Sequence, residues 1–574
     1  EGADLNVRIS EEGITLIKNE NNTLPLAGTA NLNVFGWASI DPIYGGSGSG
    51  AGDAGADTVD LLKGLENGGF TINTELKDFY KEYCEARPTV GMSTQDWTLP
   101  EPDASLYSDE LIAQAQAFSD TAVIVIGRMG GENADMPADT YALEHGTFYS
   151  SSSSYQSDMN AGDDWAEGDT YLNLSNQEKS MVEMVCSNFD QVVVLINSAN
   201  PMELGWLDDY DSIQSALVVP GTGVNGFNAL GSILNGSVNP SGHLVDTYVY
   251  DLTAAPYFNN IGNFEYLNAE SLLYTGDTSA SVGGAGSGMN ESYYFVNYVE
   301  GIYVGYKFYE TADIEGLIKY DDVVQYPFGY GLSYTTFEQS ITDVQADGKT
   351  VALTVNVKNT GAAAGMSAVE VYYTPPYTNG GIEKASVNLV EFEKTEMLEP
   401  GAETSVTISF DYEDMASYDD NGIKAVGGAY VLEAGSYDIT IRSDSHTVLD
   451  SRVITVDRDY IYNDSNDGAR DADNLAAVNT FDYAKGSVEY LSRKDSFANY
   501  DQATASPAAD LYYLTEEQLS TFVNMETWKP EDHDDANDVM PVTEAKHGLT
   551  IYDMAGAAYD DPKWDELLDQ MSVS

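Results

Sequence analysis

Cysteine is nearly missing from this chain: Cys84 and Cys186 are the only two in 574 residues. Both fall in segments that read as helical, so they give neither a disulfide framework nor a thiolate metal site. Basic residues are scarce as well, 25 Lys and Arg against 93 Asp and Glu, for a formal charge of −68. A field of that sign repels phosphate backbones and anionic lipid, which argues against nucleic-acid binding and polybasic membrane docking. The five histidines, His145, His243, His446, His533 and His547, are scattered. With no H-E-x-x-H and no nucleophile partner among them, zinc hydrolysis and Ser-His-Asp catalysis lack support. No stretch approaches the roughly 18 apolar residues of a spanning helix, and Glu1-Gly-Ala-Asp-Leu5 lacks the basic and apolar regions of a signal peptide. An acidic, Tyr-rich surface suits export, or a salty or acidic habitat; either a leader has been removed or the chain is cytosolic, and composition favours the first, an extracellular or cell-surface protein.

What the chain does hold is apolar residues in two different periods. Up to about residue 250, short apolar runs at 32–35, 122–126, 192–196 and 216–219 alternate with amphipathic stretches, the pattern of a mostly parallel sheet covered by helices on both faces. Helices are expected at 76–86, at 110–118 and after Ser175, where Ser175-Asn-Gln-Glu178 reads as a capping box. From about 338 the period becomes two: Val351, Leu353, Val355 and Val357 alternate with polar neighbours, and the same alternation recurs at 369–371, 406–410 and 437–441. Alternating strands separated by Asn359-Thr-Gly361, Pro400-Gly401 and Ala434-Gly435 argue for a β-sandwich. The expected organisation is an α/β three-layer sandwich over 1–335, an all-β sandwich over 336–456, and an extended linker over 457–574 rich in Asp, Asn, Ala and Ser.

Chemistry should collect where buried parallel strands end. The run Ala122-Val-Ile-Val-Ile126 leads through Gly127 and Arg128 into Gly130-Gly131-Glu132-Asn133-Ala134-Asp135, so Glu132 stands at such an end. A long polar insertion, 136–173, follows it at once. After the first strand, Tyr44-Gly-Gly-Ser-Gly-Ser-Gly-Ala-Gly52 frees the backbone to approach a ligand, and Ser47 and Ser49 could present hydroxyls. No Lys or Arg stands nearby, which excludes a P-loop. Gly221-Thr-Gly-Val-Asn-Gly226 matches G-x-G-x-x-G but lies late in the domain behind Pro220. It reads better as glycines that permit close packing than as a nucleotide site. Asn463-Asp-Ser-Asn-Asp-Gly468 opens like a calcium loop, but Asn474 stands where the bidentate Glu should be, so a solvated acidic turn is preferred.

Taken in order, these segments resemble glycoside hydrolase family 3, the β-glucosidase-like enzymes. The entry Ile9-Ser-Glu-Glu-Gly-Ile-Thr-Leu-Ile-Lys-Asn19 with Thr23-Leu-Pro-Leu26 resembles the start of that family's second, α/β-sandwich domain. Gly45-Gly-Ser-Gly-Ser-Gly50 resembles its glycine-serine loop, Gly131-Glu132 its acid/base loop, and Asn239-Pro-Ser-Gly-His-Leu244 its N-P-S-G turn. Gly301-Ile-Tyr-Val-Gly-Tyr306 and Tyr326-Pro-Phe-Gly-Tyr-Gly-Leu-Ser-Tyr334 match two more signatures, and the β-sandwich is similar to the fibronectin-III-like domain that follows them. The resemblance spans about residues 5–456. Tyr490-Leu-Ser-Arg493, 553–562 and 564–571 further resemble a permuted branch in which the (β/α)8 barrel comes after these domains, and no barrel follows here.

The resemblance implies a retaining exo-acting β-glycosidase acting on terminal β-linked sugars of an oligosaccharide or glycoside. It makes Glu132 the general acid/base and puts the Asp nucleophile on a barrel from the rest of the polypeptide or another chain. It implies substrate contacts from Ser49 and, by position, Ser47 and Arg128; no cofactor or metal is called for, and a homo-oligomer stays open. This chain departs from the family at Asn133 and Met136, where Gly-Glu-Gly-x-Asp-Arg is usual, and at Val219-Pro-Gly-Thr-Gly223, where a Trp-Gln-Gly type of sequence is common. The competing reading is non-catalytic: a surface, scaffold or carbohydrate-binding protein that has lost its barrel.

Overall fold

The computed structural model describes residues 1–48, 51, 55, 58–84, 88, 90–91, 94–132, 134–146, 153–156, 163–262, 264–269, 294–470, 475–479, 488–521, 537 and 539–572. Six strands form the first sheet: β1 (Thr15–Asn19), β2 (Asn31–Phe35), β3 (Thr71–Ile72), β4 (Thr121–Arg128), β5 (Gln191–Ser198) and β6 (Ile213–Val218). Their spatial order is β1-β6-β5-β4-β2-β3. All neighbours are parallel except β1, which runs antiparallel to β6 at the edge. Every residue of β4 is buried, as a central strand covered on both faces requires. That covering explains why 122–126 reads as one unbroken apolar run with no alternation. Strand β1 has no counterpart among the expected strands. Its five residues, three buried and two half-buried, are too short a run to separate from the helix before them.

Helices α1 (Gly2–Gly13), α2 (Leu61–Asn67), α3 (Thr74–Cys84), α4 (Asp109–Phe118), α5 (Asn176–Asn188) and α6 (Phe227–Asn235) flank the sheet. Short polar caps start three of them: Asp60 accepts from Lys63 N, Ser108 from Leu111 N, and Ser175 with Glu178 forms the reciprocal box. Helices α2 and α6 cross at glycines, because a Cβ on Gly64 would run into the Phe227 carbonyl and one on Gly231 into Gly64. The G-x-G-x-x-G stretch does similar work. Gly221 lies against Tyr44 and Gly45, and Gly226 against Ser10 and Thr222.

The second unit is a sandwich of β7 (Phe337–Ala346), β8 (Thr350–Asn359), β9 (Ala368–Thr374), β10 (Asn388–Lys394), β11 (Glu403–Asp411), β12 (Gly435–Arg442) and β13 (Val448–Val456). One sheet has the order β7-β8-β11 and the other β10-β9-β12-β13, with antiparallel pairing throughout. Val351, Leu353, Val355 and Val357 are fully buried with Val369, Val371, Ile439 and Ile441 in one core. The period of two thus marks the inner face.

The N-P-S-G turn fastens the two units together. Asn239 accepts from Ser333 Oγ and Tyr334 N at 2.9 and 2.8 Å, and donates to the Ala364 carbonyl at 2.9 Å. Asn239→Ala removes all three bonds from a half-buried site, and the expected cost is about 2 kcal/mol, read as a lower urea midpoint at unchanged m-value. Beyond Val456 the chain is less extended than its composition suggests. Arg493 donates to Glu315 Oε1 at 2.7 Å and to the Lys384 carbonyl at 3.0 Å, and Leu491 and Phe497 are buried. The acidic turn at 463–468 is closed by Asp467, which pairs with Arg458 at 2.9 Å and accepts from Ile461 N; residue 474 lies outside the described residues.

Candidate active site

From β2 the chain moves to β3 on one side and then to β4 on the other, so the sheet reverses its winding between β2 and β4. Crevices outside the carboxyl ends of strands at such a point are where open α/β sheets bind ligands. The loops leaving these two strands are the glycine-serine loop and the Gly130–Glu132 loop, and the register Val34↔Val123 sets them side by side. They touch closely. A Cβ on Gly131 would meet the Ser47 amide, and one on Gly48 would run into the Glu132 carboxylate. Only glycine allows this approach, and Gly48 also takes a φ of 66°.

Glu132 is exposed at the apex of its loop, over Gly48, not folded into the interior. A tight turn supports it, with Ala134 N donating to the Gly131 carbonyl at 3.0 Å. Ser47 is buried and its hydroxyl donates to the Glu132 carbonyl at 3.0 Å. In this structure, then, Ser47 holds the backbone of the Gly130–Glu132 loop. Ser49 lies outside the described residues, as does Asn133.

Arg128 corrects an expectation. It was expected to meet substrate, but it is 1% exposed and all five of its N–H donors are used inside the protein. They reach the carbonyls of Gly127, Tyr171 and Asn173 at 2.6–2.7 Å and both carboxylate oxygens of Glu178 at 2.8 and 2.6 Å. Burial disfavours its charge, but the Glu178 carboxylate outweighs that and raises its pKa. The guanidinium locks the insertion after Glu132 onto α5, because Tyr171 and Asn173 belong to that insertion.

Two anchoring residues escaped the sequence reading. Asn197, at the end of β5 and fully buried, accepts from Ile43 N at 2.6 Å and donates to the carbonyls of Ile43 and Val219 at 3.1 and 3.0 Å. An amide closing the otherwise apolar run 192–196 was its signal. Glu101, fully buried, accepts from Trp37 N at 2.8 Å and Tyr107 OH at 2.7 Å, fixing the exit of β2. Burial pushes its carboxyl up to about 8, so it is held neutral. A carboxyl raised in the folded state stabilises fully below its unfolded value of 4.5 and loses that contribution as pH rises toward 8. Glu101→Gln should therefore remove on the order of 4 kcal/mol of pH dependence between those limits, seen as a flatter plot of melting temperature against pH.

Residues 14–334 match the model of the glycosyl hydrolase family 3 C-terminal domain, more than half of the chain. The chain belongs to glycoside hydrolase family 3. Residues 367–445 match the fibronectin type III-like domain, within the β7–β13 sandwich of this family 3 protein. It is 31% identical over 517 residues to a beta-glucosidase of Ruminococcus albus, covering 89% of this chain and 46% of that one. Against beta-glucosidase A of Butyrivibrio fibrisolvens it is 32% identical over 502 residues, 80% of this chain and 51% of that one. Beta-glucosidase 3B from Thermotoga neapolitana, solved in complex with glucose, superposes with a TM-score of 0.61 at 26% identity, over 80% of this chain and 55% of the other. A beta-glucosidase from Paenibacillus barengoltzii gives 0.62 at 29%, over 80% and 44%. The family 3 chain thus spans about half the length of the curated relatives it matches.

Proposed function

We propose that this chain is the proton-donating part of a retaining, exo-acting β-glycosidase of β-glucosidase type, exported from the cell. Glu132 protonates the leaving oxygen in the first step and takes a proton from water in the second, while an Asp on a (β/α)8 barrel attacks the anomeric carbon. One observation carries this reading: Glu132 is exposed at the switch point of the sheet, with the glycine-serine loop bonded to its own backbone. A barrel docked over that edge would bring the second carboxyl to within about 5–5.5 Å, the separation that retention needs. The names of the relatives, all beta-glucosidases, support the substrate class.

The test is complementation. The chain alone is expected not to hydrolyse aryl β-glucosides, and activity should appear when the barrel is supplied, in the same polypeptide or as a second chain. Hydrolysis by the chain alone would overturn the division of the site between this chain and a barrel, and none from the combination would favour the non-catalytic reading.

A further inference from the structure

The two units meet at a joint built of ionisable side chains. The turn 443–447, between β12 and β13, seats there: Ser445 is fully buried, and its amide donates to the Phe328 carbonyl at 2.7 Å. Its hydroxyl donates to Glu310 Oε1 at 2.9 Å, and His446 Nδ1 lies 3.1 Å from Glu310 Oε2. Glu310 stands on α7 (Tyr306–Ile314) of the first unit and is buried. The His446 ring stacks on Tyr320, with centroids 3.7 Å apart and planes at 8°. Asp444 shapes the turn itself, accepting from His446 N and Thr447 N at 3.0 and 2.8 Å.

Glu370, on β9, closes the joint from the sandwich side and is 6% exposed. Its carboxyl accepts from Tyr372 OH at 2.6 Å and faces His243 Nδ1 at 3.3 Å. That nitrogen also lies 2.5 Å from the Gly329 carbonyl, which can only accept, so Nδ1 carries a proton. The fit is tight. Gly329 takes a φ of 82°, and a Cβ there would run into the Glu370 carboxyl. Arg442 is the register partner of Glu370 on β12, but its Nε and one amino group go to Thr440 Oγ1 and the Ser445 carbonyl, and its guanidinium lies over the Tyr372 ring. Asp444 acts on Glu370, and Glu370 on Tyr306 of α7; Lys394 of β10 acts on His243, and Asp313 of α7 on His446.

A carboxyl shut in beside another acidic group is easier to bury uncharged. Burial, opposed by the Tyr372 bond and helped by the Asp444 charge, pushes Glu370 up to about 8. The bond to Glu310 raises His446, and burial lowers His243. With the joint open, all three return toward their ordinary values of 4.5, 6.5 and 6.5. The contribution of Glu370 to closure is therefore complete below 4.5 and lost as pH rises to about 8, and that of His446 is complete below 6.5 and lost above it. His243 opposes them only below 6.5. Above that value every change favours opening.

We infer that this joint is a proton-operated latch: the sandwich turn 443–447 is held on the first unit while Glu370 and His446 keep their protons, and it releases as pH rises from neutrality to mild alkalinity.

Amide hydrogen exchange on the full chain, read at 443–447 and corrected for the intrinsic effect of pH, measures the opening. From about pH 6.5 to 8, protection there should fall about tenfold per pH unit through Glu370, with His446 adding to the slope, while 351–357 of β8 keeps its protection. Glu370→Gln keeps an acceptor for Tyr372 and cannot ionise, so it should remove that tenfold per unit. His446→Phe alone, which keeps a ring on Tyr320, should leave it. In the double variant protection should no longer depend on pH. No slope in the parent, a slope that survives both substitutions, or joint loss of protection at 443–447 and 351–357 each overturns the latch. A second readout does not require opening: the infrared difference between the parent and Glu370→Gln should hold a protonated-carboxyl band at about pH 7. Its absence would mean that Glu370 is buried charged, and would overturn the latch whatever the exchange shows.

Discussion

Glu132→Gln in the complete enzyme is expected to lower turnover of glycosides with poor leaving groups by two or more orders of magnitude, the usual size of general acid catalysis. The substitution keeps the shape of the side chain and touches an exposed position, so the melting temperature should not change and the loss is chemical. Glycosides with activated aryl leaving groups need little protonation, so their first step should be partly spared. Their second step, attack by water, still needs a base, and a slow release of the sugar after a fast release of the phenol should follow. Burst kinetics on an activated aryl glycoside and steady-state kinetics on cellobiose together check this. Equal losses on both substrates would mean that Glu132 only shapes the site. The backbone of residue 132 would remain held by Ser47, so the position of the loop is not what changes.

Ser47 itself separates positioning from binding. Ser47→Ala removes the bond to the Glu132 carbonyl, and kcat is expected to fall several-fold with little change in KM; a hydroxyl that touched the sugar would instead raise KM. Partial recovery in Ser47→Thr, which keeps a hydroxyl, distinguishes a lost hydrogen bond from a lost fit.

The meeting of the two candidate loops was legible in the sequence because it follows from local pattern. The apolar run 122–126 ends in glycine, the glycine-serine loop follows strand β2, and their meeting requires only that β2 and β4 be neighbours. The two-residue alternation from Val351 to Val357 likewise marked a sandwich face before any partner strand was known. What could not be read is what depends on partners far along the chain. Arg128, a lone base beside an acidic loop, reads as a ligand for substrate because its partner Glu178 is 50 residues away and had already been accounted for as a helix cap. Ser47 reads as a ligand because loop flexibility is visible in composition, whereas the carbonyl it reaches lies 85 residues on.

Arg128 also gives the largest expected effect on stability. Both its side chain and that of Glu178 are wholly buried, so removing either partner leaves a charge in the interior. Glu178→Gln and Arg128→Met are each expected to cost about 3–5 kcal/mol. Glu178 carries a second duty, because its carboxylate also accepts from Ser175 N at 2.9 Å and closes the capping box; Gln keeps an acceptor there and isolates the charge effect. The double variant should lose less than the sum of the singles, with a coupling of about 2 kcal/mol, because no buried charge is left uncompensated. It should still fall below the parent, since the carbonyls of Gly127, Tyr171 and Asn173 lose their donor. Urea unfolding of the four proteins closes the cycle. Strict additivity would mean that the two groups act independently. A raised KM in Arg128→Met at parental stability would return the guanidinium to the substrate, a position that its five internal bonds oppose.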